Sequence, residues 1–140
     1  LHETDTWRGN GTILVVDDEE IVRNLARKML EKAGFTVMTA TNGREAVEIY
    51  STQFNDIDLV LLDMSMPHMD GEEAFAQIRL IRPNAKVILA SGYNKQDVME
   101  RFTGKGLMDF IQKPFVVAEL TNVVQRALDK SATSTAYVGV

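Results

Sequence analysis

Five residues have side chains that could do chemistry together: Asp17, Asp18, Asp63, Ser91 and Lys113. Asp17-Asp18 closes the apolar run Ile13-Leu14-Val15-Val16, Asp63 closes Leu59-Val60-Leu61-Leu62, and Ser91 closes Val87-Ile88-Leu89-Ala90. Lys113 stands just past Phe110-Ile111. Carboxylates gathered at one place repel one another and raise each other's pKa unless something compensates. A divalent cation does so. With no cysteine in the chain, and with His2 and His68 far apart, the donors are all oxygen. That set selects a hard ion, Mg²⁺ ahead of Mn²⁺. Carboxylates, Mg²⁺, an ammonium and a hydroxyl are the equipment of phosphoryl transfer, where positioning and charge neutralisation do most of the work. One carboxylate must then be the acceptor, and Asp63 is central. Taken singly the residues say less: Asp17-Asp18 reads as a helix N-cap, and Lys113 as a solvated turn lysine.

Bringing these residues together requires a sheet whose strands all end on the same side. The runs at 12–16, 35–40, 58–62, 86–90 and 108–111 read as strands, and the unbroken apolar character of the first suits a central parallel strand covered on both faces. Between them lie helical patterns. Residues 19–33 place Ile21, Val22, Leu25, Ala26, Met29 and Leu30 on one face and Arg23, Asn24, Arg27, Lys28 and Glu31 on the other, with Gly34 as the C-cap signal. A second helix runs from Arg44 to about Gln53, a third follows Asp70-Gly71, and a short one is expected over 94–102. The last, from Val116 to about Lys130, carries Val117, Leu120, Val124 and Leu128. Strand and helix alternate five times over short connections, which calls for an α/β doubly wound, five-stranded parallel sheet with right-handed crossovers. In such sheets the ligand site lies outside the carboxyl ends of the strands. The second strand brings only Thr41 to that end.

At 140 residues one domain is expected. Residues 1–11 are polar and aperiodic and read as a linker or arm, 12–130 as the domain, and 131–140 as a flexible tail. The apolar fraction of 45% and charged fraction of 25% exclude a disordered or coiled-coil body. A net charge of −5 without a dense basic run argues against nucleic-acid binding. Without cysteine there is no disulfide, thiolate catalysis or thiolate-bound zinc. No apolar stretch approaches the ~20 residues of a membrane span, and no signal pattern opens the chain, so a cytoplasmic location without membrane contact is expected.

Four motifs in order, Ile13-Leu14-Val15-Val16-Asp17-Asp18-Glu19-Glu20, Leu61-Leu62-Asp63-Met64-Ser65-Met66-Pro67-His68-Met69-Asp70-Gly71, Ala90-Ser91-Gly92-Tyr93 and Phe110-Ile111-Gln112-Lys113-Pro114-Phe115, resemble the receiver domain of two-component response regulators. The resemblance runs from Thr12 to about Leu128. It implies a flavodoxin-like fold with strand order 2-1-3-4-5 and a phosphoacceptor domain rather than an enzyme. Asp63 would take a phosphoryl group from the phosphohistidine of a histidine kinase, in cis or in trans. By the same resemblance Asp18 and Asp63 would ligate Mg²⁺ with the main-chain carbonyl of Ser65, and Asp17 would act through water. Lys113 and Ser91 would hold the phosphoryl group, and Phe110 would be the switch aromatic that follows Ser91. Phe110 stands where Tyr is frequent and so lacks a phenolic hydrogen bond, and Ser65 and Tyr93 fall where the family tunes hydrolysis. The Ser91-Gly92-Tyr93 turn and the Trp7-bearing arm are similar to the C-terminal receivers of hybrid sensor histidine kinases, whose phosphoryl group passes to a histidine phosphotransfer protein. A monomer is expected. The alternatives are a degenerate receiver serving as a binding platform and a Mg²⁺-dependent aspartyl phosphatase of the haloacid-dehalogenase type. The latter needs an Asp-x-Asp motif that neither Asp17-Asp18-Glu19 nor Asp63-Met64-Ser65 supplies.

Overall fold

The structure is a computed structural model that describes residues 9–64, 70–92, 96, 98, 100, 102 and 109–138. In chain order the elements are β1 (Thr12–Val16), α1 (Glu20–Lys32), β2 (Thr36–Ala40), α2 (Gly43–Gln53), β3 (Leu59–Asp63), α3 (Gly71–Ile81), β4 (Val87–Ser91), β5 (Asp109–Gln112) and α4 (Val117–Val138). The five strands form one sheet in the order β2-β1-β3-β4-β5, and every neighbouring pair is parallel. This is the doubly wound, flavodoxin-like order. Of the short helix expected over 94–102, Gln96, Val98 and Glu100 are helical, and Val98 and Phe102 are buried.

The central strands β1, β3 and β4 are apolar up to their ends because both faces are covered, while the edge strands β2 and β5 also carry Thr36, Thr39, Asp109 and Gln112. Alternate residues point to opposite sides. Leu14, Val16, Val60, Leu62, Val87, Leu89 and Phe110 join Ala46 and Tyr50 of α2 and Ala74, Phe75 and Ile78 of α3 on one side. Ile13, Val15, Leu59, Leu61, Ile88, Ala90 and Ile111 join Ala26 and Leu30 of α1 and Leu120, Val123, Val124 and Ala127 of α4 on the other. Full burial of a Leu-sized side chain stabilises by roughly 1.5–3 kcal/mol, so these two layers hold the strand ends rigid.

Local signals set the helix ends. Asn42 caps α2, its Oδ1 accepting from the Glu45 amide at 2.8 Å, and Glu45 Oε1 in turn accepts from the Thr41 amide at 2.6 Å. Thr41 is therefore engaged in a cap and not in the site. Replacing Asn42 by Ala removes a partner for an orphan amide and is expected to cost about 1 kcal/mol in urea unfolding. Gly34, past α1, has φ 109°, a left-handed conformation that glycine adopts without strain.

Three expectations are corrected. Ile21 and Leu25 do not join the core: Ile21 is 82% and Leu25 47% exposed, while Val22 and Met29 are half-buried. The stripe that α1 can press on the sheet is narrower than its apolar residues are numerous. Val117, expected inward on the last helix, is likewise 52% exposed. That helix runs to Val138 rather than to about Lys130, since no glycine or proline interrupts it before Gly139 and each added residue closes one more backbone hydrogen bond. Among the described residues no helix is long and apolar enough to cross a membrane.

Candidate functional site

Strand register assembles the site. Val16 lies beside Leu62 and Ala40, Asp63 beside Ala90, and Ser91 beside Gln112. The next residue along β1 is Asp17 and the next along β5 is Lys113, so Asp17, Asp63, Ser91 and Lys113 share one end of the sheet. Backbone bonds fix them there: Asp17 N donates to Ala40 O at 3.2 Å, Met64 N to Ala90 O at 3.0 Å and Lys113 N to Ser91 O at 2.7 Å. The Lys113–Pro114 peptide is cis.

Asp17, Asp63 and Ser91 are buried, at 4%, 3% and 2% exposure, while Asp18 is open to solvent. Carboxylate oxygens of Asp17, Asp18 and Asp63 lie within 4.8 Å of one another. Lys113 Nζ sits among the acids, 3.1 Å from Asp17 Oδ2, 3.3 Å from Asp63 Oδ1 and 3.6 Å from Glu19 Oε1. Burial, and then the charge of Asp17, push the Asp63 carboxyl up to about 7, against the pull of Lys113. For Lys113 burial opposes the charge, but Asp63 and Asp17 outweigh it and hold the ammonium above its ordinary pKa. The two shifts agree physically. The acids stabilise the one cation they share, and the cation is too little for all of them.

The direction of the Asp63 shift sets a pH dependence. Its carboxyl titrates near 7 when folded and near 4 when unfolded, so the folded state binds the extra proton between those values. The stabilisation is fully present below about pH 4 and is lost as pH rises through about 7. In metal-free buffer, wild type is expected to lose about 2–4 kcal/mol of stability between pH 5 and 8 relative to Asp63→Asn. Urea unfolding of both proteins at the two pH values checks this. Parallel stability curves would place the titrating charge elsewhere.

The β1–α1 turn is held by residues to which the motif reading gives no part. Asp17 Oδ1 accepts from the Glu19 amide at 2.9 Å, and Arg23 Nη1 donates to the Asp17 carbonyl at 2.8 Å. With Lys113 on its other oxygen, Asp17 has both carboxylate oxygens engaged by protein. Helical periodicity puts Arg23 on the solvent face. The signal that finds it is its distance from the strand end: one turn into α1, a long cation reaches back to the last carbonyls of β1. Gly71 closes the opposite wall, its amide donating to Met64 O at 2.8 Å.

Phe110 is buried in the core layer with Val98 and Phe102. Ser65 and Tyr93 lie outside the described residues, as do Trp7, His2 and His68. The acids fit a hard divalent cation: three carboxylates converge, two of them buried, and the single ammonium present does not neutralise them.

With fold and site in view, comparison with known proteins gives the class. The model of the response regulator receiver domain matches residues 13–125, and the chain belongs to that family. Its relatives are signalling modules of two-component and phosphorelay systems. The chain is 38% identical over 115 residues to chemotaxis protein CheY of Thermotoga maritima, covering 81% of this chain and 94% of that protein. It is 34% identical over 122 residues to sensor kinase CckA of Brucella abortus, covering 87% of this chain and spanning 13% of the kinase. A solved CheX–CheY–BeF₃–Mg²⁺ complex from Borrelia burgdorferi contains a chain 33% identical, with a TM-score of 0.78, covering 81% of this chain and 86% of that one.

Proposed function

We propose that this chain receives a phosphoryl group on Asp63 from the phosphohistidine of a histidine kinase. The observation that carries the proposal is the convergence of Asp17, Asp18 and Asp63 around Lys113 at the end of a rigid parallel sheet. In the reaction an Asp63 carboxylate oxygen forms a bond to phosphorus, the P–N bond of the phosphohistidine breaks, and the imidazole leaves with the electron pair and takes up a proton. Asp63 must be ionised to attack. Asp18 and Asp63 would hold Mg²⁺ directly and Asp17 would act through water, with the Ser65 carbonyl, outside the described residues, completing the set by family resemblance. A cation held there would supply the positive charge that offsets the acids and the transferring phosphoryl oxygens. Lys113 and the buried Ser91 stand where they can bind those oxygens, and the mimic complex of the Borrelia relative is consistent with such a site.

The partner surface lies beside the acids. Ile21 and Leu25 on α1 and Val116 just before α4 are exposed apolar residues on the two elements that Glu19 and Lys113 bring together. A helical partner carrying the phosphohistidine, whether kinase or histidine phosphotransfer protein, would cover this face. Phosphorylation drawing Ser91 inward would bias Phe110 and the surface made by the helix expected over 94–102 with β5 and α4, a shift between two populations. The resemblance to a sensor kinase supports a place within a hybrid kinase. The full coding sequence around this segment checks that placement. The function itself is tested by acetyl phosphate with Mg²⁺ or with a chelator, read by intact mass: a single phosphoryl adduct that requires Mg²⁺ is expected, and none under either condition would sink the proposal.

A further inference from the structure

The residue at the rim that the phosphoacceptor reading leaves without a role is Glu19. It occupies the N-cap position of α1, yet its side chain makes no capping bond. N-caps are usually short residues whose oxygen reaches the second or third helical amide, which glutamate does poorly. Its carboxylate turns instead to Lys113, 3.6 Å away, with the Glu19 side chain 63% exposed and that of Lys113 16% exposed. Lys113 thus has three acid partners, and they differ in kind. Asp17 and Asp63 are buried parts of the acceptor site, 3.1 and 3.3 Å from the ammonium. Glu19 lies outside it.

Resting on the phosphoacceptor reading, we propose that Glu19 is a positioning residue: a tether that shares the Lys113 ammonium with Asp17 and Asp63 from the rim side and competes with the phosphoryl oxygens on Asp63 for it. Lysine suits such an exchange, being a point charge on a flexible four-carbon stem. The pair suits it as well. It is the longest and most exposed of the three, and exposed ion pairs are weak and reversible. The Glu19 side chain then slows phosphorylation through Lys113 alone; the contact of Glu19 with Asp17 is made by its main-chain amide, which a side-chain substitution keeps.

The test compares wild type, Glu19→Gln and Glu19→Asp, each with acetyl phosphate and Mg²⁺, with initial adduct rates read by intact mass and Asp63→Asn as the control. Aspartate keeps the charge at the rim but is one methylene shorter than the observed contact needs. Both substitutions are expected to raise the initial rate, by about 3–5-fold, the scale of losing one solvent-exposed ion pair. They should also tighten binding of beryllium trifluoride with Mg²⁺, a non-transferring phosphoryl mimic, by a similar factor in calorimetry. Mg²⁺ affinity alone should stay within about twofold, since one rim charge outside the ligand set is screened by solvent. Acceleration by Gln but not by Asp would overturn the tether in favour of a simple rim field. Unchanged or slower rates in both would overturn it outright. A wild type that forms no adduct dependent on Mg²⁺ and Asp63 would instead remove the phosphoacceptor reading, and the tether with it.

Discussion

Asp63→Asn is expected to take up no phosphoryl group from acetyl phosphate, with adduct formation below about a hundredth of the wild-type rate. The substitution is nearly isosteric, so the strand end and the Met64 amide bond to Ala90 keep their places. What is lost is the anionic oxygen that attacks phosphorus, and a carboxamide is a far poorer nucleophile. The neighbouring acids are badly placed to substitute for it. Asp17 is buried with one oxygen on the Glu19 amide and the other on Lys113. Asp18 has its carboxylate within 4.8 Å of that of Asp63, but it is exposed to solvent beyond the end of β1 and does not hold the buried position between β1 and β4 that Asp63 holds. Intact mass followed by peptide mapping decides it: an adduct of unchanged rate, or one mapped to Asp18 in wild type, would displace Asp63 from its central role. The same protein supplies the pH comparison above. One substitution therefore separates the loss of a nucleophile from the relief of a buried charge.

The order of strands and helices was legible because the central parallel strands, covered on both faces, are apolar along nearly their whole length, a pattern that survives without knowledge of the partners. The ends of β1 and β2 fall where the sequence puts them, while β3, β4 and β5 each run one residue further. Asp63 and Ser91 look like loop residues by type, yet each is the last residue of its strand, since Asp63 still pairs with Ala90 and Ser91 with Gln112. A polar residue at a sheet's carboxyl end carries two signals, and only the neighbouring strand tells which prevails. Ile21 and Leu25 misled in the other direction. Periodicity marks which residues share a helical face, but an exposed apolar residue is common, and the width of the buried stripe depends on where α4 and the sheet meet α1. Among the site residues, those whose types announce chemistry stood out in the motifs. Arg23 and Glu19 did not, because their contacts, to the Asp17 carbonyl and to Lys113, cross from a helix to a strand end or span most of the chain.

Gly71 is the position where the smallest change should do the most structural harm. It opens α3 directly against the end of β3, its amide bonded to Met64 O at 2.8 Å. A Cβ placed there would lie 2.6 Å from Met64 Cα, 3.0 Å from Met64 O, and closer still to the carbonyl oxygen of Asp63. These are backbone atoms of a buried strand, so no side-chain rotamer can relieve the clash. Gly71→Ala must therefore push α3 away from the sheet or displace the peptide that carries Asp63. The expected cost is about 2–4 kcal/mol, roughly a 10 °C fall in Tm for a domain of this size. Gly92, the residue after Ser91, is the control, because a Cβ there meets nothing within 4 Å. Gly92→Ala should change stability by less than about 0.5 kcal/mol. Urea unfolding of the two variants side by side measures the difference, and equal stabilities would mean that α3 can draw back from β3 at little cost. Where Gly71→Ala does fold, slower adduct formation on Asp63 than in Gly92→Ala is the expected companion result, since the displaced backbone is the one that aims the acceptor.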